Sequence, residues 1–216
     1  MTHSIGIIGD GGWGTAIALL LVRNGHRVGL WGPFAETIEE MRRTRENRKF
    51  LPGHVLPDEI DLTSDPRVCA SDRDAVVSAV PSQYVADTLE RFRGLVPAEA
   101  AVVSVTKGLD RESSRRMSVI AEERLDHRPI AVLSGPSFAE EVASGMPTAV
   151  SLACESESVS AFLQSLFSGD TFRVYTCRDV IGVELGGALK NVIALAAGIG
   201  DGLGLGHNPK AALLTR

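Results

Sequence analysis

Residues 4–32, which read SIGIIGDGGWGTAIALLLVRNGHRVGLWG, contain the feature that most constrains the fold. Gly9, Gly11 and Gly14 form a G-x-G-x-x-G pattern between a short apolar run and an apolar helical stretch. In such a unit the first glycine permits a tight turn, the second lets the backbone approach a pyrophosphate, and the third allows close helix–strand packing. The strand–turn–helix context therefore predicts a dinucleotide site, and a glycine-rich turn without a nucleotide is the alternative.

Short β-branched and apolar runs alternate with helical patterns along most of the 216 residues. This alternation predicts an α/β fold with a doubly wound, mostly parallel sheet. The predicted strands are 4–8, 27–31, 75–80, 101–106, 130–134, 148–153 and 172–175. The predicted helices are 13–24, 35–45, 83–93, 113–124, 138–144 and 156–167, and a short helix is expected to start at Asp65 and Pro66.

The pattern changes after Tyr175, where strand signals stop. Asp179 is suited to cap a helix, and only helical patterns follow it. We therefore divide the chain into a dinucleotide-binding domain at 1–178 and the beginning of an all-helical domain at 179–216. The last residues, AALLTR, form an apolar helical pattern without a cap or stop signal, so we expect the chain to be part of a longer protein.

Charge and cysteine content exclude several classes of function. The net charge of −5 argues against a nucleic-acid partner. The three cysteines are widely spaced and no metal-ligand spacing occurs, so neither a disulfide framework nor a metal site is expected. These features and the lack of a signal-peptide pattern favour the cytoplasm. Charges and five glycines between Gly198 and Gly206 argue against a membrane span in the apolar stretch before them.

The second predicted strand does not end in the acidic residue that would bind a ribose 2′-hydroxyl. Gly32, Pro33 and Phe34 stand there instead, and Glu36 comes late. An arginine from the basic run at 42–49 could reach back to a 2′-phosphate, so the choice between NAD and NADP stays open. That run is either a solvated helix face or a phosphate contact, and it comprises Arg42, Arg43, Arg45, Arg48 and Lys49.

Three polar clusters follow predicted strands: AVPSQY, VTKGL and LSGPSFAEEV. Ligands of open α/β sheets bind at the carboxyl ends of strands. Lys107 in the second cluster is therefore either a ligand contact, which its position favours, or a surface lysine.

A lysine also interrupts the apolar helical stretch ELGGALKNVIALAAG. Between residues 180 and 199 the polar side chains are Glu184, Lys190 and Asn191. Lysine is almost never fully buried unless a partner pairs with it or the protein uses it. The pattern therefore allows two hypotheses: Lys190 is used in catalysis, or it extends its ammonium from a core helix to solvent.

Several motifs together resemble the soluble, nicotinamide-dependent glycerol-3-phosphate dehydrogenases. They are GDGGWGTAIA, KFLPGHVLP, VPSQY, TKGL, SGPSFAEEVASGMPTAVSLA, FRVYTCRDVIGVELGGALKNVIALAAGIGDGLGLGHN and KAALLTR, and they run in order from residue 5 to 216. The resemblance implies a Rossmann-type coenzyme domain followed by a helical domain that completes the active site. It also implies a cytoplasmic enzyme that interconverts glycerol 3-phosphate and dihydroxyacetone phosphate with NAD or NADP. Such an enzyme supplies glycerol 3-phosphate for phospholipid synthesis. We expect a homodimer, without a nucleic-acid partner or a membrane span.

The resemblance also implies roles for individual residues. Those expected at the coenzyme are Gly9, Gly11, Gly12, Trp13, Gly14, Pro33, Phe34, Phe50, Tyr84, Lys107 and Ala139. Those expected at the substrate are Lys107, Gly135, Ser137 and Asn191, with Gly135 and Ser137 also lining the nicotinamide side. Lys190 matches the proton acceptor of the family.

Two departures from the family pattern concern Asp10 and the end of the chain. Asp10 stands where the family usually has alanine, and we expect it to point away from the pyrophosphate because like charges repel. The family's later aspartate, its hydroxyl residue and its Arg-Asn pair for the substrate phosphate would lie after Arg216.

The chemistry of alcohol oxidation explains why a lysine in apolar surroundings is useful. Free lysine, with a pKa of about 10.4, is a poor base at neutral pH, whereas burial and a second cation lower such a value to roughly 7–8. We expect apolar neighbours and Lys107 to act on Lys190 in this way, and Gly186 and Gly187 to leave room for the substrate. Rival readings are a 3-hydroxyacid or 6-phosphogluconate-type dehydrogenase, which the adjacent Lys190 and Asn191 disfavour, and a non-catalytic NAD(P)-binding sensor.

Overall fold

The computed structural model describes residues 1–126 and 128–215. Its strands are β1 (Ser4–Ile8), β2 (Arg27–Trp31), β3 (Glu46–Asn47), β4 (Leu51–Val55), β5 (Ile60–Thr63), β6 (Ala75–Ser78), β7 (Ala101–Ser104), β8 (Ile130–Ser134), β9 (Thr148–Ala153) and β10 (Phe172–Cys177). Its helices are α1 (Gly12–Arg23), α2 (Ala35–Thr44), α3 (Pro66–Ala70), α4 (Val85–Glu90), α5 (Met117–Arg124), α6 (Ala139–Ala143), α7 (Glu157–Phe167), α8 (Val180–Gly202) and α9 (His207–Thr215), and a 3-10 turn covers Ser82–Tyr84.

The main sheet has the strand order β10-β9-β8-β7-β6-β1-β2-β5, and β3 pairs with β4 in a separate hairpin. Every neighbouring pair in the main sheet is parallel except β8 and β9, which are antiparallel. The stretch from β5 to β8 has the 3-2-1-4-5-6 order of Rossmann folds, with the switch point between β1 and β6. The predicted fold class is therefore confirmed.

The central strands are almost wholly apolar because helices cover both of their faces. Along β1, Ile5 and Ile7 belong to one buried cluster, whereas Ile8 belongs to a second cluster on the opposite face. The first cluster lies under α1, α2, α6 and α7, and the second lies under α3, α4 and α5. The alternation follows from the period of two in a β-strand.

Three strands were not predicted from the sequence: β3, β4 and β5. The hairpin formed by β3 and β4 contains Pro52 and Gly53, residues that usually argue against a strand and are tolerated here outside the main sheet. β5 has only four residues and lies at the edge of the main sheet. The helices predicted at 83–93 and 113–124 are shorter in the structure, where they form α4 and α5.

Asp179 caps the N-terminus of α8, as predicted: its carboxylate accepts a hydrogen bond of 2.8 Å from the backbone N–H of Gly182. The helix has 23 residues, and an 18-residue window within it has a mean hydropathy of 1.6, so it is long and apolar enough to cross a membrane by length and composition alone. That is weak evidence, since core helices of soluble proteins can meet the same test. Glu184 is the residue of α8 that is buried against the α/β domain.

Candidate active site

The loop between β1 and α1 has the geometry that its glycines predict. Gly9 adopts a φ of +121°, which favours glycine. A Cβ atom at Gly14 would overlap the carbonyl oxygen of Gly9 and lie 3.3 Å from Ala79 Cβ, so only glycine lets α1 pack this close. By contrast, the space beside Gly11 is open, which leaves that part of the backbone accessible to a ligand.

The N-terminus of α1 offers hydrogen-bond donors to this open space. Its N-cap residue, Gly11, has no side chain to cap the first backbone N–H groups. The indole Nε1 of Trp13 is buried and has no hydrogen-bond partner in the part of the chain that the structure describes. Free amides at a helix N-terminus suit a phosphate, and the indole N–H can donate to another acceptor.

Asn47 in the β3–β4 hairpin fixes the glycine-rich loop. Its Nδ2 donates to the backbone oxygen of Asp10 at 2.7 Å and to Thr15 Oγ1 at 2.8 Å. Asn47 is buried, and Phe50 beside it donates its backbone N–H to Asn47 Oδ1. Sequence reasoning missed this residue, although it lies next to the motif KFLPGHVLP.

A groove with a volume of about 330 Å³ runs along the carboxyl ends of β6 and β7. The hydroxyl of Thr106 donates to the backbone oxygen of Val80 at 2.7 Å and so links the loops after β6 and β7. The residues that line the groove are Gly11, Gly12, Trp13, Ala79, Val80, Pro81, Val105, Thr106, Lys107, Ser137 and Ala139.

Lys107 lies at the end of this groove. Its Nζ donates to the backbone oxygen of Gly135 at 3.1 Å and to Ser137 Oγ at 3.3 Å, and it lies 5.8 Å from the centre of the Trp13 ring. Burial, followed by the positive charge of Lys190, lowers the pKa of Lys107 to about 8. Position therefore favours the ligand-contact reading of Lys107 over that of a surface lysine.

A second cavity, with a volume of about 390 Å³, lies between the loop after β8 and the first half of α8. Lys190 lines it, with its Nζ 5.7 Å from the centre of the Phe138 ring. The space beside Gly186 is open, whereas a side chain at Gly187 would collide with Ser134 Oγ. The other residues that line this cavity are Gly135, Pro136, Ser151, Gly182 and Val183.

The structure corrects the expected environment of Lys190. Lys190 is exposed, as are its apolar neighbours Leu189 and Val192, so the prediction of a lysine buried in apolar surroundings is wrong. The reason is that α8 packs one face on the α/β domain and leaves its other faces without cover from the described residues. The two lysines do lie close together, but Lys107 is the one whose pKa burial lowers.

A buried ionic contact joins α8 to the α/β domain, and sequence reasoning missed it. Glu184 is 2% exposed and accepts hydrogen bonds from Ser118 N at 2.8 Å, Ser118 Oγ at 2.7 Å and Arg116 Nη1 at 3.1 Å. Its partners lie 66 and 68 residues earlier in the chain, so no local pattern could have identified them. The signal in the sequence was an acidic side chain in the otherwise apolar first turns of α8.

The remaining residues that were predicted at the coenzyme or substrate are exposed. Phe34, Phe50 and Tyr84 are 65%, 45% and 58% exposed, so the two phenylalanines are available to a ligand and Tyr84 lies outside the groove lining. Pro33 and Asn191 are also exposed. Within the described residues, no group of three or more His, Cys, Asp or Glu side chains could hold a metal ion.

The strand order, the glycine-rich loop at the switch point and the groove beside it define a dinucleotide-binding protein of the Rossmann class. A family model described as NAD-dependent glycerol-3-phosphate dehydrogenase N-terminus matches residues 4–160. A second model, for the C-terminus of the same enzymes, matches residues 179–216. The chain therefore belongs to the family of NAD-dependent glycerol-3-phosphate dehydrogenases.

Individual relatives agree with this assignment. The chain is 44% identical over 214 residues to a glycerol-3-phosphate dehydrogenase of Fusobacterium nucleatum and 47% identical over 217 residues to one of Moorella thermoacetica. These matches cover 98% and 100% of this chain but 64% of each relative. The crystal structure of glycerol-3-phosphate dehydrogenase from Coxiella burnetii superposes with a TM-score of 0.88 at 40% identity, over 99% of this chain and 66% of that one.

Proposed function

We propose that this chain provides the coenzyme domain and the start of the substrate domain of an enzyme that interconverts sn-glycerol 3-phosphate and dihydroxyacetone phosphate with NAD or NADP. The matches to two family models, one ending at residue 160 and one starting at 179, support a domain boundary near residue 178. The observation that carries the proposal is the convergence of Lys107 and Lys190 beside the groove that starts at the glycine-rich loop.

The residues around the groove fit a dinucleotide. The uncapped N-terminus of α1 and the open space beside Gly11 suit the pyrophosphate. Phe34 and Phe50, both exposed, are placed after β2 and in the hairpin, where they would flank the adenosine half. Ala139 and Lys107 line the other part of the groove and would hold the nicotinamide end, and a bound nicotinamide supplies the hydride donor or acceptor.

The two lysines would attract the phosphate and the reacting oxygen of the substrate. Lys107 is held by Gly135 O and Ser137 Oγ, so its ammonium has a defined position between the two cavities. Asn191 follows Lys190 directly and would contribute an amide to the same pocket. Two cations beside each other suit a substrate that carries a phosphate dianion.

Lys190 would move the proton. In oxidation its amine would accept the hydroxyl proton, and in reduction its ammonium would donate a proton to the carbonyl oxygen. The open space beside Gly186 gives the substrate access to this side of α8. Lys107 would hold the same oxygen or the phosphate of the substrate by hydrogen bonding. Its bonds to Gly135 O and Ser137 Oγ would keep the ammonium in place for this contact.

We further propose that the enzyme is a cytoplasmic homodimer that supplies glycerol 3-phosphate for phospholipid synthesis and has no nucleic-acid partner. The net charge of −5 supports the last point. We also propose that α8 does not cross a membrane. The buried contact between Glu184 and Ser118 supports this, because it seats one face of the helix on the α/β domain.

The test is Lys190→Ala in the full-length protein, assayed with dihydroxyacetone phosphate and NADH or NADPH. Turnover should fall by roughly 10²–10⁴-fold while coenzyme affinity stays unchanged, since general acid–base catalysis typically contributes that much. Lys210→Ala is the matched control, because Lys210 is a lysine of α9 that pairs with Asp201.

Two results would contradict the proposal. A loss of less than about tenfold in Lys190→Ala would remove the catalytic role and favour a binding sensor. Turnover of 3-hydroxyacids or 6-phosphogluconate, with none of dihydroxyacetone phosphate, would favour the rival dehydrogenase classes.

A further inference from the structure

The end of β2 lacks the side chain that usually reads the coenzyme's adenosine ribose. In Rossmann folds an acidic residue at this point binds the 2′-hydroxyl of NAD, and a nearby arginine accommodates the 2′-phosphate of NADP. Here β2 ends at Trp31 and Gly32 follows, with its backbone N–H bonded to Thr63 O. Gly32 provides neither an acid nor a base.

The carboxylate of Asp10 occupies the space that a side chain at Gly32 would fill. A Cβ atom at Gly32 would lie 2.6 Å from Asp10 Cγ, nearer still to Oδ2, and 2.9 Å from Ile38 Cδ1. The carboxylate therefore lies against the end of β2, in agreement with the expectation that Asp10 points away from the pyrophosphate. Asp10 belongs to the glycine-rich loop in sequence, but the fold places its carboxylate where other Rossmann folds have the acidic residue at the end of β2.

The buried carboxylate of Asp10 has few hydrogen-bond donors around it. It is 7% exposed, and its carboxylate accepts a hydrogen bond from its own backbone N–H but from no other side chain among the described residues. Burial raises the pKa of Asp10, while its own N–H and the charge of Lys49 oppose that rise. A buried carboxylate with so few donors is costly unless a ligand supplies one.

Three arginines of the basic run that could instead hold a 2′-phosphate have other partners. Arg42 donates to the backbone oxygen of Leu62 at 2.9 Å and also pairs with Glu39. Its neighbour Arg45 donates to the backbone oxygen of Leu56 at 3.0 Å, and Arg48 contacts a Glu46 oxygen at 3.0 Å. Lys49, whose Nζ lies 4.9 Å from the centre of the Phe50 ring, is the cation that acts on Asp10.

We propose that Asp10 supplies, from the β1–α1 loop, the carboxylate that other dinucleotide-binding folds place at the end of β2, and that it selects NAD(H) over NADP(H). The 2′-hydroxyl of NAD(H) donates a hydrogen bond to this carboxylate, whereas the 2′-phosphate of NADP(H) brings a second negative charge beside it. The inference rests on the proposed function, because it assigns the coenzyme preference of the same groove.

The experiment measures dissociation constants for NADH and NADPH by calorimetry with the full-length protein and with Asp10→Asn, Asp10→Ala and Glu36→Gln. Wild type should bind NADH about tenfold or more tightly than NADPH, and Asp10→Asn should reduce that ratio about tenfold, since it removes the repulsion without changing the side-chain shape. Asp10→Ala should act in the same direction. Glu36→Gln is the matched control, because Glu36 is an exposed acid in the first turn of α2, and the ratio should stay unchanged.

A preference of wild type for NADPH would overturn the inference. So would a ratio of NADPH to NADH dissociation constants that, in both Asp10 variants, stays within twofold of the wild-type ratio. Thermal melts of the variants, compared with wild type, would show that each is folded when its ratio is measured. If dihydroxyacetone phosphate is reduced normally while the ratio does not respond to Asp10, only this inference fails. If neither coenzyme binds, the proposed function fails with it.

Discussion

At the residue scale, two lysines with the same chemistry have different environments. Lys107 is half-buried and donates to Gly135 O and Ser137 Oγ, whereas Lys190 projects from the exposed side of α8. Burial penalises the charged form of an amine, and a nearby cation adds to that penalty. Both effects fall on Lys107, whose pKa is lowered to about 8.

The first prediction concerns the titration of Lys107. In wild type its ammonium should lose a proton near pH 8, which is measurable from the pH dependence of its side-chain carbon and nitrogen NMR shifts. In Lys190→Met that pKa should rise, because a neighbouring positive charge no longer opposes protonation. It should remain below the usual value of about 10.4, since burial, the larger cause, is unchanged.

Lys210→Met is the control for this titration, because Lys210 pairs with Asp201 in the helical segment. It should leave the pKa of Lys107 unchanged. An unchanged pKa of Lys107 in Lys190→Met would show that the two amines do not interact, and would remove the electrostatic basis of the paired-lysine site.

At the element scale, a buried carboxylate of α8 is bonded to the N-terminus of α5. Glu184 accepts from both the backbone N–H and the hydroxyl of Ser118, in the first turn of α5, and from Arg116 just before that helix. A negative group at a helix N-terminus is favourable because it faces unpaired N–H groups. Because Gly187 lies one turn later and packs on Ser134, this contact also determines where Lys190 emerges.

The second prediction is that Glu184→Ala loosens α8. The change leaves the N–H of Ser118 buried without its acceptor, which should cost roughly 1–3 kcal/mol in the free energy of unfolding. Hydrogen exchange should accelerate for the backbone amides of α8, and denaturant unfolding would give the loss of stability. The comparison is best made with the full-length protein.

Glu157→Ala provides the matched control for Glu184→Ala. Glu157 also pairs with an arginine, Arg178, but both side chains are highly exposed, at 88% and 78%. Exposed ion pairs contribute little, so this variant should behave like wild type. Equal exchange rates for α8 in wild type and Glu184→Ala would contradict the proposed role of Glu184.

At the scale of the whole molecule, the strand order brings distant motifs to one edge of the sheet. The ends of β1, β6, β7 and β8 are neighbours, so the glycine-rich loop, Lys107 and the loop at Gly135 meet although they are far apart in sequence. The groove beside the glycine-rich loop is therefore formed within the described residues, whereas the chain spans 64% of the length of two of its curated relatives.

The third prediction compares residues 1–216 with the full-length protein. The shorter chain should bind NADH with similar affinity but reduce dihydroxyacetone phosphate at least 100-fold more slowly, because positioning of the substrate can contribute roughly 7–11 kcal/mol to catalysis. Phosphate dianions are usually held by arginine, and none lines the Lys190 cavity in the part of the chain described by the structure. Calorimetry and a steady-state assay measure the two quantities. Comparable turnover in both proteins would show that residues 1–216 contain the complete site.

Much of the α/β domain could be predicted because its signals are local. Strands β1, β2, β8 and β9 have the predicted bounds, since each is a short run rich in apolar and β-branched residues. The hairpin of β3 and β4 was missed, because Pro52 and Gly53 weaken the local signal and its place depends on contacts such as that of Asn47 with the glycine-rich loop.

The sequence by itself determined the fold class, the nucleotide loop and the candidate lysines, because each is encoded in a short pattern of residue types. The tertiary structure alone decided which lysine is half-buried, which residues pair with Glu184 and where the Asp10 carboxylate lies. These properties depend on how segments distant in sequence pack together. Burial and electrostatic interaction are set by neighbours in space, so the same side chain in the same local pattern can be exposed, paired or buried.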